Sequence, residues 1–249
     1  MLLERKIAVI TGAASERGIG KAVAALFARH GAKVAIVDLD LESSRGAAAD
    51  IGDEHIGYSC DVADHSQCAE TVHQIVESFG GIDILVNVAG VTQPLKALEI
   101  GPDDFDRVTA VNLKGTFNMS QAAIPSMQDR GMGSIICISS VSAQRGGGIF
   151  GGAHYSASKA GVLGLARALA RELAQWRIRV NCVAPGLIQT DITKGKMTDE
   201  LKKHIISGIP LGRLGIPLDV AKACLFLASE LSEYITGTVI NVNGGMQIQ

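Results

Sequence analysis

The sequence predicts an α/β protein, a doubly wound sheet of seven parallel strands with helices on both faces. Three observations carry that expectation. Short β-branched runs alternate with longer, Ala-rich segments of helical period, the pattern of repeated βαβ units. The 29 glycines collect at the predicted strand ends, where backbone must turn sharply or let a ligand approach. With 249 residues, 47% of them hydrophobic, the chain has material for one large core, so a single domain over residues 1–249 is expected.

The elements follow in order. "KIAVIT" is the first strand, and the helix through "GKAVAALFARHG" ends at Gly31. "KVAIVD", "HIGYSCDV" and "IDILVNVAG" are strands two to four; one helix is expected through "DFDRVTAVNLKGTFNMSQAAIPSM". "SIICISS", the helix "YSASKAGVLGLARALARELAQW", the strand "IRVNCVAPG", a helix near "LDVAKACLFLAS" and the strand "GTVINVNGG" complete the sheet. The segment Leu187 to Pro217 is the longest irregular stretch and lies beyond a strand's carboxyl end, which makes it a candidate lid.

A net charge of -2 gives no global field for nucleic acid or an anionic membrane, so the expected partners are small molecules and copies of the chain itself. No apolar run approaches a membrane span, and the N-terminus runs straight into a strand; the cytoplasm is the expected location. Cys60, Cys68, Cys137, Cys182 and Cys224 form no CxxC pair and read as buried small hydrophobes in a reducing compartment. Histidines, cysteines and carboxylates show no ligand spacing, so no metal is expected.

"TGAASERGIG" follows a predicted strand and opens a predicted helix. That context makes Gly12, Ser15, Arg17, Gly18, Ile19 and Gly20 a candidate phosphate cradle, in which helix amides face a pyrophosphate. Asp38 stands at the end of the second strand, where its carboxylate can accept from a ribose and repel a 2'-phosphate. NAD is therefore expected in preference to NADP. Arg17 is the opposing signal, a cation that reaches a 2'-phosphate or simply sits solvated on the turn; the second reading is taken.

In "YSASK", Tyr155 and Lys159 lie one helical turn apart and share a face. The strand ending in Ser139 and Ser140 and the strand ending in Pro185 and Gly186 flank them in sequence, so serine, tyrosine and lysine can converge at the sheet's carboxyl edge. A nearby ammonium and an oxidised nicotinamide favour the phenolate and bring tyrosine into use as an acid or base.

These motifs, with "CDV" at Cys60 to Val62, "NVAG" at Asn87 to Gly90, "VNLKG" around Asn112, "APG" and "NVNGG", resemble the short-chain dehydrogenase/reductase family over almost the whole chain. The resemblance implies a Rossmann-type sheet and hydride exchange between a nicotinamide and an alcohol or ketone. It implies that Tyr155 is the general acid/base, that Lys159 lowers its pKa and holds the nicotinamide ribose, that Ser140 binds the substrate oxygen and that Asn112 positions a relay water. It also implies that Asp61 and Val62 meet the adenine, that Asn87, Ala89 and Gly90 line the cofactor, and that Pro185, Gly186, Ile188 and Thr190 flank the nicotinamide.

Three departures stand out: two extra residues in the glycine turn, Val88 for the usual second Asn, and two extra residues between Ser140 and Tyr155. The last leaves Ser142 as a second serine candidate, with Ser140 favoured by its strand-end position. The substrate pocket is expected between Gln144 to His154 and the lid, with Gln144 and His154 as polar contacts; His154 reads equally as a solvent-facing ring. Lys194, Lys196, Lys202 and Lys203 on the lid are read as a solvated face ahead of an anion trap.

An NAD-preferring member of this family resembles dehydrogenases of polyols, sugars or hydroxy acids. The alternative enzyme is an NADPH-using 3-oxoacyl-carrier-protein reductase, and a non-catalytic dinucleotide sensor is a third reading. Ala160, Leu163, Leu165, Ala168 and Leu169 give the helix after Tyr155 more than one apolar face, and with the resemblance this implies a homotetramer of dihedral symmetry.

Overall fold

Strand β1 (Ile7–Thr11) is buried along its whole length, and its side chains alternate between two cores: Ala8 and Ile10 enter one, Val9 the other. That two-sided burial is why the strand reads as a continuous apolar run. The computed structural model describes residues 1–147, 149–191 and 198–248. Over them, β1 is joined by β2 (Lys33–Asp38), β3 (Ile56–Ser59), β4 (Ile84–Asn87), β5 (Gly133–Ile138), β6 (Ile178–Pro185) and β7 (Val239–Val242). All neighbours pair in parallel, in the order β3-β2-β1-β4-β5-β6-β7.

One face of the sheet packs against α1 (Ile19–Arg29), α2 (Leu41–Ala49) and α9 (Pro217–Ala228), with Val23, Phe27, Ala47, Val220 and Cys224 in the shared core. The other packs against α3 (His65–Phe79), α5 (Gly115–Asp129) and α7 (Ala153–Leu173) through Val72, Ile75, Met119, Met127, Val162 and Leu169. Full burial of a side chain such as Phe27 contributes on the order of 2–3 kcal/mol. The expected fold, with helices on both faces, is the observed one. Among the described residues no helix is long and apolar enough to cross a membrane.

Two local differences bear on function. The expected single helix over "DFDRVTAVNLKGTFNMSQAAIPSM" is divided into α4 (Pro102–Thr109), a π turn over Ala110–Lys114 and α5. Its apolar period does not register the extra residue, which buries Asn112 completely. The insertion before Tyr155 contains a short helix, α6 (Ser142–Arg145). The lid segment contains α8 (Asp199–Ser207), capped by Thr198; Lys194 and Lys196 lie outside the described residues.

His55, just before β3, is almost fully buried, and its Nδ1 accepts from Val34 N–H at 3.1 Å. An imidazole accepting there must be neutral, and burial holds its pKa below the ordinary value, Glu54 opposing more weakly. A depressed folded pKa means that the unfolded chain takes up the proton first. This contribution to stability is therefore complete above pH ~6.5 and is lost as pH falls through that value towards the folded pKa, at up to ~1.4 kcal/mol per pH unit. His55→Asn keeps an acceptor for Val34 without a titrating ring, so its melting temperature should fall less than the parent's between pH 7 and pH 5. Equal slopes in a thermal melt series would show that His55 carries no acid sensitivity.

Candidate active site

Connections from β1 and β4, neighbours in the sheet, run to opposite sides, which opens a crevice at their carboxyl ends. Thr11 and Asn87 are paired across this point. The buried Thr11 hydroxyl accepts from Val88 N–H and Ala89 N–H, both at 3.1 Å, and so fixes the two departing loops. Gly12 lies in the left-handed region, and a Cβ there would sit 2.7 Å from the Ala89 backbone; one at Gly20 would sit 2.3 Å from the Gly12 carbonyl oxygen. Any side chain at either position would force the turn open.

The helix that follows is built differently from its neighbours. Asp40 caps α2 and Asp64 caps α3 through their carboxylates, whereas α1 begins at Gly18 with no side-chain cap and no acid in its first turn. Gly18 and Ile19 face the crevice, a cavity of about 680 Å³. An uncapped N-terminus beside bare backbone is the donor set for an anion.

At one end of the cavity Asp38 is held by two amides: Oδ2 accepts from Ala14 N–H and Oδ1 from Leu39 N–H, each at 2.9 Å. Asp61 and Val62 line the same end. The glycine turn is tied to the beginning of the lid segment by Asp191. Its Oδ2 accepts from Ser15 Oγ at 3.0 Å and from Arg17 N–H at 3.1 Å, and its Oδ1 accepts from Arg17 Nε at 2.9 Å. The Arg17 amide and then its guanidinium hold the Asp191 carboxyl below the usual range.

At the other end Tyr155 and Lys159 face the cavity from the first two turns of α7. Lys159 is 4% exposed, and its ammonium donates to the Ile138 carbonyl at 2.8 Å. Burial pulls its pKa down to about 8. Ser139 Oγ donates to the Lys159 carbonyl at 2.8 Å and pins the helix to β5. Ser140 Oγ accepts from Ser142 N–H at 3.1 Å, which leaves its proton to donate. A hydrogen bond from Ser140 draws the Tyr155 pKa down, but burial is larger and holds the phenol above its ordinary range.

Asn112 stands behind this group. Its Oδ1 accepts from Val91 N–H at 2.8 Å, and its Nδ2 donates to the Val91 carbonyl and Ser158 Oγ, both at 3.0 Å. The side chain is spent on holding the loop after β4 against α7. Its carbonyl accepts from Thr116 Oγ1 at 2.8 Å.

The cavity thus brings together Gly12, Ser15, Gly18, Ile19, Asp38, Asp61, Val62, Ala89, Gly90, Ser140, Ser142, Tyr155, Lys159, Pro185, Gly186, Ile188 and Thr190. Six expected residues do not line it. Gly20 lies beneath the turn, Asn112 behind Gly90, and Arg17 is turned to Asp191. Asn87 points under the sheet, its Nδ2 donating to Ser120 Oγ at 3.1 Å. Gln144 is turned to Asn241, donating to Oδ1 at 2.8 Å. His154 is fully buried and bonds Gln93 Oε1 at 3.1 Å, so it is neither a substrate contact nor a solvent-facing ring. Lys202 and Lys203 are exposed away from the cavity.

Sequence reasoning missed Arg145, Phe150, His204 and Met246, all of which face the cavity. Phe150 and Arg145 belong to the insertion before Tyr155, and His204 to the lid helix. Met246 follows Gly244 and Gly245, two positive-φ glycines that carry the chain past β7 back to the site; the "NVNGG" motif was the available signal. A second hollow of about 720 Å³ opens at the opposite, amino edge of the sheet around Lys6, Asp83 and Arg130, far from these groups.

Comparison with known proteins gives a consistent result. The model of a family described as enoyl-(acyl carrier protein) reductase matches residues 12–247. An uncharacterized short-chain type dehydrogenase/reductase of Sinorhizobium fredii is 58% identical, with both chains covered completely. A 3-oxoacyl-[acyl-carrier-protein] reductase of Thermotoga maritima is 44% identical, again over 100% of both chains. The crystal structure of a short-chain type dehydrogenase/reductase from Mycobacterium marinum superposes with a TM-score of 0.92 at 36% identity, covering 99% of this chain and 97% of that one.

Proposed function

The chain belongs to the short-chain dehydrogenase/reductase family of oxidoreductases acting on alcohol or carbonyl groups, and from that premise we propose that it moves a hydride between NAD and a secondary alcohol or ketone. One observation carries the reading. Ser140, Tyr155 and Lys159 line the same cavity as the uncapped start of α1 and the Asp38 carboxylate. The residues fit a dinucleotide, with amides for a pyrophosphate at the turn and a carboxylate for ribose hydroxyls at the strand end.

A bound nicotinamide supplies the hydride acceptor or donor. Tyr155 removes the proton from an alcohol, or returns it to a ketone oxygen, at its phenolic oxygen. Ser140 donates to the same substrate oxygen, and the Lys159 ammonium stabilises the phenolate. Asn112 holds Val91 and Ser158, fixing the loop after β4 against α7, the helix that carries Lys159.

NAD is favoured over NADP by two carboxylates. Asp38 stands where a 2'-phosphate would be brought, and Asp191 engages Arg17, the cation on the turn that would otherwise neutralise that phosphate. In the substrate half, Arg145 makes no ion pair among the described residues and faces the cavity with His204. Within the polyol, sugar and hydroxy-acid class this favours substrates that bear a carboxylate. The second reading, an NADPH-using 3-oxoacyl-carrier-protein reductase, is favoured by the similarity to the 3-oxoacyl-[acyl-carrier-protein] reductase of Thermotoga maritima.

The assembly is proposed to be a homotetramer. Ala153, Ala157, Ala160, Gly164 and Ala168 form an exposed stripe along α7, narrow enough to let a second copy's helix come close. Phe117 is exposed on neighbouring α5. Of the residues expected on that face, Leu169 instead enters the core, and Leu163 and Leu165 are half-buried. Multi-angle light scattering at micromolar concentration should give four times the 26.0 kDa chain mass; a monomer would refute the assembly.

A panel of sugar acids, hydroxy acids, polyols and acetoacetyl thioesters, each with both cofactors, tests the reaction. NAD-linked oxidation of a hydroxy acid is the expected outcome, and fast NADPH-driven thioester reduction would establish the second reading. Tyr155→Phe should lower kcat by about 10³-fold or more with NAD affinity changed less than about threefold; near-normal turnover would eliminate Tyr155 as the acid/base.

Asp191→Asn keeps an acceptor for Ser15 and the Arg17 amide but releases the guanidinium. Its kcat/KM with NADPH should rise about tenfold, ~1.4 kcal/mol, and adding Arg17→Ala should abolish the gain. An unchanged NADPH efficiency would mean that Asp191 has no part in cofactor choice.

A further inference from the structure

Of the five cysteines, Cys60 and Cys68 differ from the rest in their surroundings. Cys137 and Cys224 are fully buried, and burial pushes both thiols up to about 12. Cys182 is likewise fully buried and shifted upward by burial. Cys60 is almost completely covered by protein, yet its residue borders the dinucleotide cavity. Its Sγ lies 3.8 Å from Cys68 Sγ, and their hydrogen bond draws the Cys60 thiol below its ordinary range while raising Cys68.

The backbone places this pair at the adenosine end. Cys60 N–H donates to the Asp38 carbonyl at 2.8 Å, continuing the pairing of β3 with β2 to the residue whose carboxylate is the ribose candidate. Cys68 lies in the first turn of α3, and its Sγ donates to the Val62 carbonyl at 3.4 Å. Asp61 and Val62, which border the cavity, are therefore enclosed between the two sulfurs. We propose that Cys60 and Cys68 are an oxidisable dithiol, closed to a disulfide by a hydroperoxide that enters through the cofactor cavity, and that the closed form has lost affinity for the dinucleotide.

The chemistry balances with hydrogen peroxide as the named oxidant. The Cys60 thiol gives up its proton as its sulfur attacks one peroxide oxygen; the O–O bond breaks, the departing hydroxide takes up that proton and leaves as water, and Cys60 becomes a sulfenic acid. The Cys68 thiol attacks that sulfur, the S–O bond breaks and a second water leaves, so two thiols lose two hydrogens and two electrons to one peroxide. The sulfurs must close from 3.8 Å to ~2.05 Å, an approach of about 1.7 Å that the intervening loop has to absorb. That loop is fastened by Gln67 Oε1, which accepts from Asp61 N–H at 3.0 Å, and by Asp61 Oδ1, which accepts from Ala63 N–H at 2.9 Å. Closing the sulfurs therefore displaces Asp61 and Val62 and disturbs the Asp38 strand end. By linkage, dinucleotide in the cavity must disfavour the disulfide form at equilibrium, and by occupying the peroxide's route past Cys60 it should also slow the oxidation.

The second half of this proposal rests on the nucleotide reading of the cavity; the first does not. The test treats the full-length protein with hydrogen peroxide and maps cysteine pairing by alkylation under denaturing conditions and mass spectrometry. The expected product is a Cys60–Cys68 disulfide with Cys137, Cys182 and Cys224 still free. It should form more slowly in saturating NAD, and calorimetry should show NAD affinity at least about tenfold weaker than in the reduced protein. Cys68→Ser should halt at a Cys60 sulfenic acid that dimedone traps.

Five free thiols after peroxide, or a disulfide elsewhere, would overturn the proposal without needing the variant to fold. A Cys60–Cys68 disulfide with unaltered NAD affinity would overturn its functional half. Failure of the reduced protein to bind NAD at all would instead count against the nucleotide reading and that same half, while the mapped disulfide would stand.

Discussion

A lysine ammonium held at 4% exposure beneath the carboxyl edge of a parallel sheet is the constraint around which the site is arranged. Burying such a charge costs several kcal/mol unless nearby groups satisfy it. The Ile138 carbonyl at the end of β5 accepts one of its protons, and the Ser139 bond to the Lys159 carbonyl keeps that turn of α7 in place. A Cβ at Gly90 would lie 3.3 Å from Nζ and 3.1 Å from Asn112 Oδ1, so glycine there is what lets loop, asparagine and lysine pack together. The π turn supplies Asn112 by adding one residue to a helix that would otherwise carry that side chain elsewhere. Tyr155, one turn before Lys159, faces the cavity.

What the sequence disclosed follows from how local each determinant is. The strands were legible because residues such as Ala8, Val9 and Ile10 feed two cores from one run. Tyr155 and Lys159 were legible because helical geometry alone puts them on one face. Gln144 and His154 were misread for the opposite reason. Their nearness to Tyr155 in sequence suggested nearness to substrate, but His154 precedes Tyr155 by one position and so projects about 100° away around the helix. Its partner Gln93 is 61 residues distant, and that of Gln144 is 97. Asp191 meets Arg17 across 174 residues, a contact no local pattern encodes. The π turn left no mark on the apolar period, since Val108 and Met119 on either side of it are both fully buried.

Cofactor choice and cofactor loading meet on the same few residues. The glycine turn is two residues longer than its family's usual form, and Ser15 and Arg17 are fastened to Asp191 at the start of the lid segment. The turn proposed to receive the phosphates is thus mechanically continuous with the segment proposed as the lid. Across the cavity, Asp38, Cys60 and Asp61 form a second continuous unit through the pairing of the β2 and β3 ends. The cavity proposed for the dinucleotide lies between a charge-locked wall and a thiol-bearing one.

On the proposed mechanism, the electrostatics of Tyr155 and Lys159 distinguish the two directions of the reaction. Burial raises the Tyr155 phenol, against the hydrogen bond from Ser140 that draws it down, and lowers the Lys159 ammonium, so desolvation opposes the phenolate–ammonium pair that alcohol oxidation requires. A neutral phenol is already the proton donor that carbonyl reduction requires. The difference between the two directions is one positive charge beside the phenolic oxygen, and it has to outweigh the desolvation of Tyr155 at close range in a poorly screened cavity. An oxidised nicotinamide carries that charge and a reduced one does not. On the proposed mechanism, base strength at Tyr155 is tied to the redox state of a neighbouring nicotinamide ring, which removes any need for a separate switch between acid and base.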